Sequence, residues 1–223
     1  MKIAILGNGK MGKKIAELAN KRKHKIVAVS SSKNPAVNLN LNTAHVAIEF
    51  STPNTAFENI THAINSGIPV VSGTTGWLDR LQEVKDLCQK KNGAFLYASN
   101  FSLGMNLFFE VNKKLAKLMR NQEYESEINE LHHVQKLDTP SGTAKKLAKD
   151  LQEIQNKKIK INAERIGNLA GTHIVKYNST IDEIEIKHTA KNREGFAKGA
   201  ILAAEWIIKK RGVFNMNDVL DIQ

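Results

Sequence analysis

The densest chemistry in the chain lies between Glu130 and Thr143, in the segment ELHHVQKLDTPSGT. Two imidazoles (His132 and His133), an amine (Lys136) and a hydroxyl–glycine cluster (Ser141, Gly142, Thr143) fall close together there. The run after Pro140, Ser-Gly-Thr-Ala-Lys-Lys-Leu-Ala, predicts a helix start. Proline suits the first helical position, and Asp138 or Thr139 is available as the cap. The first turn of such a helix leaves the N–H groups of Ser141, Gly142 and Thr143 without intrahelical partners. Their partial positive charge suits a carboxylate or phosphate, and Gly142 lets a ligand come close to the backbone. Taken alone, the turn reads first as an ordinary helix cap and the His-His pair as surface or packing residues. Together they offer proton donors beside an anion cradle, which is the chemistry of holding a carboxylate and protonating it. A metal centre is not expected, because matching acidic or histidine ligands are missing from the spacing and Lys136 would repel a cation.

These groups need a particular backbone to converge. In a continuous strand His132 and Lys136 would face one way and His133 the other. The strand must therefore end near His133, and Leu137-Asp138-Thr139-Pro140 fits such an exit.

The N-terminus carries a second motif. Lys2 to Leu6 reads as a short apolar strand that runs into Gly7-Asn8-Gly9-Lys10-Met11-Gly12, with a helical pattern beyond (Met11, Ile15, Leu18, Ala19). Strand, G-x-G-x-x-G turn and helix is the order in which a Rossmann unit binds a dinucleotide pyrophosphate. Gly7 permits the turn, Gly9 lets phosphates approach, and Gly12 lets the helix pack on the strand. A second strand, Lys25 to Ser30, ends in Ser31-Ser32-Lys33 with no carboxylate to hold ribose hydroxyls. Small hydroxyls and a cation there lean towards NADPH, or use of both NADPH and NADH. Further strands are expected at His45–Phe50, Pro69–Ser72 and Ala94–Ala98, alternating with helices opened by Ser51-Thr52-Pro53-Asn54 and spanning Leu78–Lys90. This alternation predicts a parallel α/β sheet. Its strand ends carry Ser51-Thr52, Gly73-Thr74-Thr75 and Ser99-Asn100, where ligands of such sheets gather. Residues 31–44 show no helical period, so a loop must join the second strand to the third.

Beyond Phe101 the pattern changes. A helix is expected at Leu103–Met119, a strand at Glu125–Leu131, a helix from Ser141 to about Gln155, and strands at Lys157–Asn162, Thr172–Ser179 and Glu183–His188. The short links between those strands suggest a mixed or antiparallel sheet whose open face could support oligomerisation. A last helix spans Phe196–Lys209, and GVFNMNDVLDI closes the chain. The expected fold class is thus α/β: an N-terminal Rossmann-type parallel sheet at residues 1–102, to which the last helix and tail 196–223 return, plus a smaller α+β domain with a mixed or antiparallel sheet at residues 103–195.

Bulk properties bound the function. The 223 residues are 41% hydrophobic and 25% charged, ordinary for a globular protein, with a net charge of +11. The lysines are scattered rather than clustered and are not interleaved with aromatics, so nucleic acid is not the expected partner. No apolar run approaches the ~20 residues of a membrane span. A short N-terminal apolar run broken by glycine and lysine lacks a signal-peptide core. The lone Cys88, in a helical pattern, is expected to be a packed side chain. The expected compartment is cytoplasmic.

Six motifs carry a family likeness: G-x-G-x-M-G at residue 7, GTTG at 73–76, ASNFSLGMN at 98–106, ELHHVQKLDTPSGTA at 130–144, KHTAKNREGFAKGA at 187–200 and the terminal GVFNMNDVLDI. Together they resemble the 4-hydroxy-tetrahydrodipicolinate reductase (dihydrodipicolinate reductase) family of the diaminopimelate–lysine pathway, along nearly the whole chain. The resemblance implies NADPH and/or NADH as cofactor, held at Gly7, Asn8, Gly9, Lys10, Met11 and Gly12, with Gly73, Thr74, Thr75 and Ala98, Ser99, Asn100, Phe101 bordering the nicotinamide half; the reading of the second strand's end adds Ser31. It implies His132 as proton donor or acceptor and Lys136 as proton donor. Substrate carboxylates would be bound by His133, Ser141, Gly142 and Thr143. It further implies a small dicarboxylate substrate and a homotetramer. The chain departs from the pattern by a shortened segment after the second strand, trimming near 152–170 and serine in place of an acid after the second strand. The alternatives are a dehydrogenase of another small dicarboxylate such as aspartate, or a non-catalytic NAD(P)H-binding redox sensor.

Overall fold

The computed structural model describes residues 1–192 and 194–222; Arg193, inside the 187–200 motif, lies outside the described residues. In chain order the elements are β1 (Lys2–Leu6), α1 (Lys10–Lys21), β2 (Lys25–Ser30), β3 (Val46–Glu49), α2 (Pro53–Asn65), β4 (Val70–Ser72), α3 (Leu81–Lys90) and β5 (Ala94–Tyr97). They continue with α4 (Leu103–Met119), β6 (Glu125–His132), α5 (Gly142–Gln155), β7 (Lys160–Arg165), β8 (Thr172–Asn178), β9 (Glu183–Thr189), α6 (Glu194–Ile207), β10 (Gly212–Phe214) and α7 (Met216–Val219). The chain forms two compact units, Met1–Ser102 with Glu194–Gln223, and Leu103–Arg193.

The first unit is built on a six-stranded sheet in the order β10-β5-β4-β3-β1-β2, with all pairs parallel. Strands β1, β3, β4 and β5 are almost wholly buried, as expected of a parallel sheet covered on both faces. Because β2 and β3 flank β1 on opposite sides, their connections diverge at its carboxyl end, which makes that end the topological switch point. The link from β2 to β3 holds only a 3-10 turn at Ala36–Asn38, in keeping with the lack of helical period. The helix expected at Leu78–Lys90 starts late: Leu78–Arg80 forms a 3-10 turn, because buried Trp77 donates its indole N–H to the Thr74 carbonyl at 2.7 Å and holds the approach. The edge strand β10 was not anticipated. Its three residues carry no periodic signal, and pairing with β5 alone makes them a strand.

Two glycines close the first turn by backbone contact. Gly7 has φ +119°, and a Cβ there would lie 2.1 Å from the Phe50 carbonyl oxygen. A Cβ on Gly12 would lie 1.8 Å from the Gly7 carbonyl oxygen. Gly9 faces open space, and a Cβ there would meet nothing within 4 Å.

In the second unit the sheet order is β7-β6-β8-β9, with β6–β7 parallel and the other pairs antiparallel, so the sheet is mixed. Strand alternation gives it one covered face. Ile128 on β6, Val175 and Tyr177 on β8, and Leu147 and Leu151 of α5 are fully buried there, packed with buried Phe108 and Phe109 of α4. In α4 the buried stripe is Met105, Phe108, Phe109, Asn112, Ala116 and Met119, while Leu107, Val111 and Leu118 are exposed. Strand β7 begins at Lys160, later than the expected Lys157. Asn156 caps α5 in the left-handed region, φ 54°, and residues 157–159 serve as the crossing to the sheet.

The contrast between Gly9 and Gly12 is testable. Gly12→Ala forces backbone apart and should cost at least ~1–3 kcal/mol, lowering Tm by about 2–4 °C per kcal/mol in a chain of this size. Gly9→Ala should leave Tm within about 1 °C of wild type, since surface changes cost little; thermal unfolding of both variants checks it.

Candidate active site

The first unit carries a cleft of about 760 Å³ at the switch point, between the Gly7-Asn8-Gly9 turn, Ser30–Lys33 and the Phe50–Thr52 segment after β3. Gly7, Asn8, Gly9 and Ser31 of the expected cofactor residues line it. Lys10 and Met11 sit in the first turn of α1, Lys10 exposed and Met11 half-buried against the core, and Gly12 is buried against the turn. Among the described residues no side chain caps the α1 N-terminus, which leaves its first-turn amides to meet an anion. No carboxylate follows β2; Ser31, Ser32 and Lys33 take that place.

Glu49 at the end of β3 was not anticipated. It is fully buried and accepts hydrogen bonds from Ser72 Oγ at 2.6 Å, Thr74 Oγ1 at 2.7 Å and the Ser51 N–H at 3.0 Å, as well as from Ser51 Oγ. The Thr74 hydroxyl in turn accepts from the Ser51 N–H at 2.8 Å. This clasp fixes the start of the Gly73-Thr74-Thr75 loop against the cleft wall. Thr74 is buried in it, whereas Thr75 is exposed and Gly73 half-buried against Phe50. Ala98, Ser99 and Asn100 follow β5, with Ser99 exposed and the other two half-buried. The Phe101 side chain is 1% exposed and packs against Phe50 in the core, so only its backbone could face a ligand.

In the second unit, strand register assembles the other constellation. Residues Glu130 and His132 are two apart on β6 and share its covered face. Glu130 pairs with His173 on β8, His173 with His188 on β9, and His132 with Arg165 on β7. One end of the covered face is therefore a polar rank rather than an apolar core. Glu130 is 1% exposed, His173 4% and His132 7%.

The Glu130 carboxylate is the centre of this rank. Its Oε1 accepts from the Ser141 N–H at 3.0 Å and from Arg165 Nη2 at 3.1 Å. Its Oε2 stands 3.6 Å from His132 Nδ1 and 3.6 Å from His173 Nε2. Burial pushes this carboxyl up, but the neighbouring His173, Ser141 and Arg165 outweigh it and hold the group well below the usual carboxylate range. Burial pushes His132 down to about 4; Glu130 opposes this, while His173, Lys136 and Arg165 add to it. Burial, with His173 nearby, also lowers His188. The ligand atoms of Glu130, His132 and His173 lie within 4.8 Å of one another. Arg165 already supplies the positive charge that one carboxylate oxygen requires, so the cluster reads as a hydrogen-bonded hub.

The chain leaves the sheet after His132, as the facing of the side chains required. The Lys136 N–H closes a turn onto the His133 carbonyl at 3.1 Å. Half-buried His133 is tied to the 166–171 segment by its N–H to the Leu169 carbonyl at 3.0 Å. Lys136 Nζ meets Asp138 Oδ1 at 2.6 Å, and this ammonium, with a smaller effect of the Gly142 N–H, lowers the Asp138 carboxyl. The expected helix start needs correction. Neither Asp138 nor Thr139 caps α5; Ser141 does, its hydroxyl accepting from the Ala144 N–H at 3.1 Å. Pro140 therefore lies before the cap, after a cis Thr139–Pro140 bond. The Ser141 N–H, expected to be open for a ligand, is taken by Glu130. Exposed Gly142 and half-buried Thr143 remain at the helix entrance, and nothing lies within 4 Å of a side chain that Gly142 would carry. Glu130, Arg165, His173 and His188 were missed as site residues. The alternation of β6 and β8 held the signal for Glu130 and His173, which sit at the parity of the buried positions.

Comparison with known proteins agrees with both halves of this architecture. Residues 1–101 match the family described as dihydrodipicolinate reductase, N-terminus, and residues 104–220 match dihydrodipicolinate reductase, C-terminus. The 4-hydroxy-tetrahydrodipicolinate reductase of Christiangramia forsetii is 50% identical over 234 residues, covering 99% of this chain and 98% of its own length. That of Methanosarcina acetivorans is 34% identical over 237 residues, covering 99% and 89%. The solved structure of dipicolinate-bound dihydrodipicolinate reductase from Paenisporosarcina sp. TG-14 shares the fold, with a TM-score of 0.78 at 24% identity over 98% of both chains. With both halves matched and half of the aligned positions identical to a full-length relative, the chain belongs to the dihydrodipicolinate reductase family.

Proposed function

We propose that this protein reduces 4-hydroxy-tetrahydrodipicolinate to tetrahydrodipicolinate with NADPH or NADH, a step of diaminopimelate and lysine biosynthesis. The observation that carries the reading is the coexistence, in a member of this family, of an open glycine turn at the switch point with the His132–His133–Lys136 cluster at a helix entrance. When bound in the first unit's cleft, a reduced nicotinamide dinucleotide supplies hydride. The residues fit it: Gly9 leaves the turn open, the uncapped α1 amides suit a pyrophosphate, and Ser31, Ser32 and Lys33 accommodate a 2′-phosphate as readily as a hydroxyl. The Gly73-Thr74-Thr75 and Ala98–Phe101 strand ends would border the nicotinamide half.

The second unit's residues divide the remaining work. His133, Gly142 and Thr143 hold the substrate carboxylates, with Ser141 fixing the helix entrance from within and Lys136 neutralising charge after exchanging its Asp138 partner for the ligand. After the 4-hydroxyl has left as water, hydride adds to the conjugated ring and His132 and Lys136 provide the proton that the ring then needs. Burial keeps the His132 imidazole neutral at pH 7 in the free protein. A bound dianion favours its protonated form, since a nearby opposite charge raises a basic group's pKa. Protonation of His132 is thereby coupled to substrate occupancy. The uncovered face of the β7-β6-β8-β9 sheet supports a homotetramer. Among the described residues no helix is long and apolar enough to cross a membrane, and a cytoplasmic enzyme acting on a small dicarboxylate, without nucleic acid or membrane partners, fits the scattered charge.

Oxidation of NADPH or NADH should require the condensation product of pyruvate and aspartate semialdehyde. No oxidation of either cofactor in that coupled assay would remove the proposal. Lys136→Ala and His132→Asn should each lower kcat/KM by about 100- to 10,000-fold with unchanged circular dichroism; wild-type rates in both would defeat the site assignment. Light scattering should give the mass of four 24.8 kDa chains, and a monomer at micromolar concentration would refute the tetramer.

A further inference from the structure

We propose that Glu130 is the positioning residue of the proton-transfer site: its buried carboxylate orients the His132 ring through Nδ1 and leaves Nε2 as the nitrogen that exchanges a proton with substrate. This deepens the reading of His132 as a proton donor and rests on it.

The geometry makes the carboxylate's second oxygen available for this task. Oε1 is engaged by Ser141 and Arg165. Among the described residues, buried Oε2 has no hydrogen-bond partner at normal length and neither has the buried Nδ1 of His132; Nδ1 stands 3.6 Å from Oε2, as does His173 Nε2, which also contacts the Ser141 hydroxyl. Two unsatisfied buried polar atoms facing each other carry a desolvation cost, and a small inward turn of the ring would remove it by forming an Nδ1–H to Oε2 bond. The opposite edge of the ring abuts a glycine. Gly171, with φ +139°, lies beneath it, and a Cβ there would stand 3.0 Å from Nε2. Nδ1 therefore faces a fixed anion and Nε2 faces a position without a side chain.

The groups that bear on His132 come from every neighbouring strand and the following loop: Glu130 on β6, Arg165 on β7, His173 on β8 and Lys136 after β6. Glu130 is the anion among them, and the other three carry or can carry positive charge. Without it the imidazolium would face cations alone and protonate less readily. Glu130 also holds the Ser141 N–H, so one carboxylate sets both the ring of the proton donor and the entrance of the helix that binds the substrate.

The test begins with the wild-type protein. In ¹⁵N-histidine NMR at pH 7, with the His132 ring assigned through its backbone, the neutral ring should be the Nδ1–H tautomer; an Nε2–H tautomer would overturn the proposal. Glu130→Gln, folded by circular dichroism, should lower kcat by ~100-fold while KM changes less than about threefold. It should also move the His132 titration to lower pH, whereas Glu130→Asp, retaining the charge, should recover part of the rate. Wild-type kcat in a folded Glu130→Gln protein would overturn the proposal. Should glutamine prevent folding by stranding Arg165, the wild-type tautomer still decides. His132→Asn separates the two readings: full activity in that variant removes His132 as proton donor, while its loss alongside an unaffected Glu130→Gln removes only the role of Glu130.

Discussion

A carboxylate taken out of water is costly unless hydrogen bonds and opposite charge replace its hydration, and this constraint organises the second unit. Glu130 points into the covered face of a sheet whose other buried positions are mostly apolar. Arg165 from β7, the Ser141 amide from the start of α5, and the imidazoles of His132 and His173 converge on it. Each comes from a different part of the chain, so satisfying one buried charge fixes the relative positions of three strands and a helix entrance. Removing any donor would leave the remainder unbalanced, which is why such a hub tolerates little displacement.

The first unit solves a similar problem without a cation. Glu49 is equally buried, and hydroxyl and amide donors from Ser51, Ser72 and Thr74 surround it. The donors lie at the carboxyl ends of adjacent parallel strands, β3 and β4, so the hydrogen bonds lock the strand ends that floor the nucleotide cleft. The glycine turn is held differently. Gly7 and Gly12 pack backbone on backbone, leaving Gly9 open. Rigid support below and an open amide surface above is the arrangement expected of a site that must bind an anion without rebuilding itself.

Much of this was legible in the chain. The parallel strands, the turn between Gly7 and Gly12 and the absence of a helix between β2 and β3 follow from local periodicity and glycine placement. That the chain leaves β6 near His133 followed from the need to bring His132, His133 and Lys136 to one ligand. The errors share a cause. The cap of α5 moved from Asp138 or Thr139 to Ser141 because Glu130, distant along the chain, captures the Ser141 amide. The late start of α3 traces to Trp77 and its bond to Thr74. The strand β10 exists through pairing with β5, far away in sequence.

The amino-acid sequence by itself determined the local elements, the nucleotide turn, the proton-bearing cluster and, through its motifs, the family, because each depends on residue types a few positions apart. Only the tertiary structure decided that Glu130, Arg165 and His173 gather around His132, with His188 next in the rank. That neighbourhood is set by strand order and register, and a one-residue slip of a strand would turn its side chains to the opposite face.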